Sequence, residues 1–516
     1  MPTPVDWTPI EIKDFSGGMR LDKSPVLLAD NEVRQALNCF LDERGAVEAR
    51  GGFEKDVASY ISGATYVDNM IRFDYGGGSV TVISVFTTTY VKLFEFDGTT
   101  FTEITGGTAL ATGAHVEFAV YGDWLLICNG SQFQYWDGSG VKANCGYKVG
   151  STSVVPRLMA VSDGALFAVS NTSSERFTVQ FTAVGLYDTD PSDMNFVANY
   201  NFDVVNKPSD STGITSLFQY GDEDNLLVAT GNTMHRLLGE DNTDYTLQQI
   251  SRVAGVTSPR GICETPYGVV CFVGNEQIYA YDGSRIFPIG DAVKTRLLKR
   301  DMSNMTAFYH AKRESVVFGY RTGSLVWHVR SGLKSAYTTK MSWDIGGWTE
   351  LDISMAAAVR YEKASDYNKV VFCDYGTPYV YEFDTGLDDD GSDIEFVLDL
   401  KTYTFGEFMR SKECRQVWVL CDTVIEEPVT VTISRVSAFD GNDEKSASGR
   451  VKLYGARYGY ARYGYNVYAG SGSVVAIADH GDNMIGHTFS VVVSKTDSKA
   501  LKIYGVGLRM KPKERI

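Results

Sequence analysis

The hydrophobic pattern changes character along the chain. Near the start, apolar Val33, Ala36, Leu37, Phe40 and Leu41 recur at the i, i+3, i+4, i+7, i+8 spacing of one helix face, with Asp30 placed as an N-cap. This predicts a short docking helix, broken at Arg44-Gly45, in an N-terminal arm over residues 1–58. From 59 to 385 a different unit recurs, in which an apolar run is followed by a short aromatic strand that ends at Asp-Gly or a lone Asp. The aromatic members are Phe94–Gly98, Gln134–Gly138, Tyr279–Gly283 and Tyr379–Asp384; their apolar partners are Val80–Val85, Trp124–Cys128, Val269–Val273 and Val370–Cys373. Further apolar runs, Ala165–Val169 and Leu226–Ala229, fall between the second and third copies. Asp-Gly between such runs marks a hairpin. The first two turns lie 40 residues apart, and the later intervals of 145 and 102 fit three and two units of roughly 50 residues. That period predicts a β-propeller of six to eight blades. An array of ordinary β-sandwiches is the alternative, but it gives no reason to repeat the hairpin.

Residues 386–394, beginning GLDDDGSD, lack periodicity and read as an acidic, solvated linker. Beyond it, Glu395–Lys401, Gln416–Leu420, Val429–Ile433, Thr488–Val493 and Leu501–Leu508 are strand-like. They predict a C-terminal β-sandwich of five to seven strands over 395–516. The segment Asp291–Leu298 fits a two-turn helix capped by Asp291. The fold class expected is therefore all-β.

Composition sharpens this picture. The chain has 30 Tyr, 27 Phe, 7 Trp and 51 Gly against 13 Pro, which suits short aromatic strands joined by tight turns. Its net charge of −16 argues against a general nucleic-acid binder unless cations gather on one face. The eight Cys form no C-x-x-C pair and four sit in apolar runs, so reduced thiols are expected. The N-terminus lacks a cleaved-signal pattern, and no run approaches the roughly 18 apolar residues of a membrane span.

The search for chemistry returns little. There is no phosphate-binding loop or dinucleotide fingerprint, and Gly76-Gly77-Gly78 reads as a turn. The six His lack zinc spacing. A calcium-loop reading of Asp388, Asp389, Asp390 and Asp393, aligned on Gly391, puts Gly386 at the first ligand position and Val397 at the Glu position, so it fails. No G-x-S-x-G elbow occurs. Ser342–Trp348 looks like a shortened sialidase Asp-box, but it occurs once and reads as a structural turn. The expectation is a non-enzyme with no catalytic, cofactor-binding or metal residues. One segment is suggestive: the tandem repeat ARYGYARYGY over 456–465, where Arg457, Tyr458, Tyr460, Arg462 and Tyr463 could contact DNA or a partner. A Tyr-rich hairpin or a subunit interface is the alternative.

The opening segment then becomes informative. Phe15-Ser-Gly-Gly-Met19, Ser24-Pro25, Leu28-Ala-Asp30, Asn38, Leu41-Asp42, Gly45-Ala46 and Arg50-Gly51-Gly52 resemble the N-terminal signature of tail proteins of tailed bacteriophages. Ser258–Gly261, Phe272–Gly283 and Ile289-Gly290 resemble an internal blade, and Arg410–Lys412 and Gly505–Leu508 the C-terminal domain, of the same proteins. The group is the tail-nozzle, packaged-DNA stabilisation or tail tubular proteins of short-tailed phages. The resemblance spans most of the chain through degenerate motifs. It implies a homohexameric virion protein, assembled in the host cytoplasm, that sits below portal and head-tail adaptor rings, meets tail fibres, retains packaged DNA and conducts it at ejection. Six copies would carry −96 formal charges, which would limit sticking of DNA in transit. Another phage structural propeller, such as a fibre anchor or baseplate component, and a carbohydrate-binding propeller are the alternatives. Phe15, Gly17, Gly18, Asn38, Gly45, Arg50 and Gly51 are assigned to structure, the glycines for backbone geometry and Arg50 to pair a carboxylate.

Overall fold

The computed structural model describes residues 8–512 except 58–59, 141, 146–147, 150–151, 154, 183–194, 197–200, 205–212, 222–224, 240–243, 330–345, 364–365, 406–410, 423–428, 437–444, 452–472, 480–483 and 499. Seven antiparallel blades follow one another, with first strands Tyr66–Tyr75, Glu117–Tyr121, Pro156–Ser162, Ile214–Gln219, Ile262–Glu264, Thr306–His310 and Ala357–Lys363. Six are self-contained sheets, and the sixth in order runs on into the C-terminal domain. First strands touch between blades 1 and 2, 2 and 3, 3 and 4, 5 and 6, 6 and 7, and 7 and 1, which places them innermost.

The second strand of each blade explains the unbroken apolar runs. In Leu226–Thr230 of blade 4, Leu226 and Val228 pack against blade 3, whereas Leu227 and Ala229 pack against blade 5. A strand buried on both faces cannot alternate apolar with polar. The same division repeats at every seam: blades 1 and 2, 2 and 3, 5 and 6, 6 and 7, and 7 and 1 each share a buried cluster. Seven blades and seven seams make a closed β-propeller.

The Asp-Gly turns join third to fourth strands. Asp97 accepts from the amides of Thr99 (2.7 Å) and Thr100 (2.8 Å), and Gly98 takes φ +93°. Asp282 does the same for Ser284 and Arg285. The last copy differs. After Val380–Phe383 the chain does not turn back; the fourth strand of blade 7 is Phe53–Lys55 from the N-terminal arm.

The C-terminal domain is a sandwich. One sheet carries Lys412–Asp422 between Lys502–Pro512 and Ser473–Asp479, and the arm adds Thr8–Ile12, Cys39–Leu41 and Val47–Ala49. The other runs from Glu32–Leu37 through Ile394–Leu400, Thr488–Asp497 and Val429–Val436 to Lys445–Val451. Their inner faces, among them Val417, Val419 and Leu508 against Leu398, Ile433 and Val491, form one core that also takes in Phe318 and Trp327 of blade 6.

The predicted N-terminal helix is not there. Residues 32–41 form two strands, Glu32–Leu37 and Cys39–Leu41, hinged at Asn38 with φ +55°. A bulge between Val33 and Gln35 puts Val33 and Ala36 in the same core, and so imitates helical spacing. Phe40 faces the seam of blades 6 and 7 while Cys39 and Leu41 face the sandwich core, so both faces are apolar. The linker reading of 386–394 is also corrected, since its acids are engaged as described below. The Asp291 segment is a 3-10 turn, Asp291–Val293, running into Lys294–Leu297. Asp291 does not cap it; its Oδ1 accepts from Gln277 Nε2 at 2.6 Å.

Candidate functional site

Two charged constellations stand out. The first lies where arm, propeller and sandwich meet. The Arg50 side chain is 0% exposed. Its fork grips both oxygens of Asp389 (2.6 and 2.5 Å), Nη2 reaches Asp352 at 2.9 Å, and Nε donates to Asn38 Oδ1 at 2.9 Å. Asn38 Nδ2 donates in turn to the Glu395 carbonyl at 2.8 Å. The expected carboxylate partner of Arg50 thus comes from the acidic stretch itself, which is pinned further by Lys55 on Asp390 at 2.5 Å.

Asp384, the divergent copy of the blade turns, is the neighbouring hub. It is buried at φ +54° and accepts from the Gly51 amide at 2.7 Å and from Arg313 Nε at 2.8 Å. Burial works against its charge, yet the Arg313 guanidinium, with His310 and Lys312, holds the carboxyl below its ordinary range. Arg313 also bonds Glu48 at 2.8 Å and lies over the Phe40 ring. The opening signature is therefore a junction signature. Gly18 makes the point sterically: φ is +59°, and a Cβ there would sit 2.5 Å from the Trp348 amide nitrogen. Gly18→Ala should lower stability by about 2 kcal/mol or more, because it combines left-handed strain with a backbone collision. Gly63→Ala, at φ +75° in open space, should cost only about 1 kcal/mol. Urea unfolding midpoints compare the two, and equal losses would show that the collision is absent.

The second constellation closes the mouth of the propeller bore. Asp68 belongs to blade 1, His115 precedes and Glu117 opens blade 2, Arg260 precedes blade 5, Asn304 precedes blade 6 and Tyr375 lies in blade 7. Arg260 Nη1 donates to the Asp68 carbonyl and lies 3.3 Å from Asp68 Oδ1. Blades 6 and 7 separate these residues along the ring, so the pair spans the opening. His115 Nδ1 lies 2.5 Å from Asp68 Oδ1 and Nε2 lies 3.2 Å from Asn304 Oδ1. The Val116 amide donates to Asp68 Oδ2 at 2.8 Å, and the Tyr375 hydroxyl to the Asn304 carbonyl at 2.6 Å. With its oxygens so engaged, Asp68 acts as a tie. Beside it, Glu117 Oε1 is sealed from solvent without a hydrogen-bond partner. Burial pushes this carboxyl up to about 7; Arg260 and His115 oppose the rise and Asp68 adds to it.

Sequence reading missed this cluster because its members are single residues scattered over blades. The one available signal was ionisable residues in strand-like surroundings, Asp68 after Tyr66-Val67 and Glu117 between Val116 and Phe118. The residues it did select, Arg457, Tyr458, Tyr460, Arg462 and Tyr463, lie outside the described residues, as does most of the Asp-box-like segment. Among the described residues no group of three or more His, Cys, Asp or Glu is placed to hold a metal, and no helix is long and apolar enough to cross a membrane.

No protein family profile matches the chain, and no curated relative matches it. Solved structures do. A chain in a crystal structure of BBS1N in complex with ARL6DN, soaked with mercury, superposes with a TM-score of 0.40 at 12% identity, covering 65% of this chain and 98% of its own. A chain of the Mitotic Checkpoint Complex gives 0.38 at 9% identity, covering 65% and 93%. The assignment of this chain as a β-propeller with a C-terminal β-sandwich rests on its own seven seams and the shared sandwich core.

Proposed function

We propose that the chain is a structural protein of a short-tailed phage virion. In this reading six copies form a nozzle below the portal and adaptor rings that retains packaged DNA and conducts it at ejection. The observation that carries the reading is the junction. The signature residues Gly18, Asn38, Arg50 and Gly51 converge there, and each occupies a place that needs its side chain or lack of one. They weld propeller to sandwich through one continuous sheet, in which Glu32–Leu37 pairs with both Trp348–Leu351 and Ile394–Leu400. A rigid two-domain plate suits a load-bearing ring, whose closure needs heterologous contacts between two different surfaces of each subunit.

The tied bore mouth bears on where DNA would run. A duplex cannot thread an opening crossed by Arg260 and Asp68, so the conduit would lie between copies. The net charge of −16 per copy would keep such a channel from holding DNA by attraction.

Native mass spectrometry and negative-stain imaging of the full chain, alone and with its portal and adaptor rings, test this. Closed sixfold rings seated on the adaptor are expected. A trimer, a site off the portal axis, or monomers that never join the vertex would overturn it; the first two outcomes would instead favour a fibre anchor or baseplate component.

A further inference from the structure

Beside the bore tie lies a cleft of ≈ 590 Å³, open to solvent and walled by segments of blades 1, 6 and 7 and the loops leading into blades 2, 5 and 6. Its size is that of sites for small organic ligands. Four cations line it: Arg260, Lys299, Arg300 and Arg321. Among the described residues the acids that line it are Asp68 and Asp301. Asp68 is tied to Arg260, and Asp301 accepts from Ser303 (2.6 Å) and Asn304 (2.6 Å), so the four cations exceed these two carboxylates by two charges. Among the described residues no carboxylate stands within ion-pair reach of Lys299, Arg300 or Arg321. This surplus of positive charge sits in a chain of net charge −16.

The cations are also held in place. The Arg260 side chain is 9% exposed and anchored on Asp68. Arg300 lies over the Tyr320 ring at 4.7 Å and donates to Thr322 Oγ1 at 2.8 Å, which fixes the plane of its guanidinium. Lys299 and Arg321 are exposed at the rim.

We propose that this cleft binds a phosphate-bearing ligand of nucleotide size. With Arg260 tied to Asp68, the guanidinium groups of Arg300 and Arg321 and the Lys299 ammonium around one opening match the several oxygens and double charge of a phosphate; a lone carboxylate would leave part of that charge unused. The volume exceeds what a bare phosphate fills, so the phosphate is carried on a larger body, with Tyr66 and Tyr375 supplying aromatic wall. The same group could arrive as a free nucleotide or as one unit of a DNA strand. The inference does not depend on how copies of the chain assemble.

Isothermal titration of the full chain with inorganic phosphate, dAMP, deoxyadenosine and a short oligothymidylate tests it. dAMP should bind about tenfold or more tighter than deoxyadenosine, and Arg300→Ala/Arg321→Ala should remove at least about tenfold of that affinity while the chain stays folded by circular dichroism at the temperature of the titration. Oligothymidylate binding that falls by the same factor would identify strands as a source; dAMP binding alone would identify free nucleotides. Should the double variant misfold, Lys299→Ala, altering only a rim side chain, must still weaken dAMP several-fold. Equal binding of dAMP and deoxyadenosine, no binding of either, or variants that bind dAMP like the parent would overturn the proposal.

Discussion

Replacing Arg50 with alanine is expected to cost about 3–5 kcal/mol of stability, the range for stripping one partner from a buried ion pair. The side chain satisfies five acceptors, two on Asp389 and one each on Asp352, Asn38 and Gly51, with no water contact of its own. Its loss would leave two carboxylates facing each other and the left-handed Asn38 without its brace. The cost should depend on pH. Burial holds the Asp389 carboxyl above its ordinary range even with Arg50 alongside. Without the guanidinium it would take up a proton more readily, so the deficit should narrow as the solution is made acidic. Arg50→Lys keeps the charge but not the fork, and should fall between parent and alanine variant. Urea unfolding followed by tryptophan fluorescence at neutral and mildly acid pH reads all three. An alanine variant with the parental midpoint would mean that the junction is held by apolar packing alone.

Glu117→Gln should stabilise the chain by about 3 kcal/mol at pH 8 and leave it unchanged near pH 4. The folded carboxyl is raised to about 7 from an ordinary 4.5, so between these values the folded state binds more protons than the unfolded state. Stability contributed by this group is therefore full below the unfolded value and is lost as pH rises through 7. Glutamine mimics the protonated acid and cannot ionise. Thermal midpoints of parent and variant should coincide in acid and separate on the alkaline side. Parallel curves at all pH values would show that Glu117 is solvated in solution and that the bore mouth admits water.

The repeating hairpin was readable because its cause is local. An aromatic strand, Asp accepting from amides two and three residues on, and Gly at positive φ are all set within a few positions. The apolar second strands were equally readable, since burial on both faces leaves a continuous run. The closing strand was not: Phe53 pairs with Phe383, and nothing near Phe53 announces a partner so distant. The helix expectation failed at Val33 and Ala36 because a bulge and two buried faces reproduce the spacing of one apolar stripe. The bore tie escaped notice because Asp68, His115 and Arg260 are ordinary polar residues until the ring brings them together. Arg50 sits between these cases. Its need for a carboxylate followed from its type, but the choice of Asp389 did not, because that stretch reads as solvated when taken alone.

Sharing blade 7 between Phe53–Lys55 and Val380–Phe383 also sets a timetable for biosynthesis. Phe53 leaves the ribosome 330 residues ahead of Phe383, a gap of roughly 20–60 seconds at common elongation rates. Thr8–Ile12 waits longer still, for Lys502–Pro512. Blades 1 to 6 can stack in order as they emerge, while the leading segment stays unclasped until the last blade arrives. A nascent chain stalled before that point would present an unpaired sheet edge, and it is at this stage that a chaperone, or a second copy offering its own leading strand, would find the molecule most receptive.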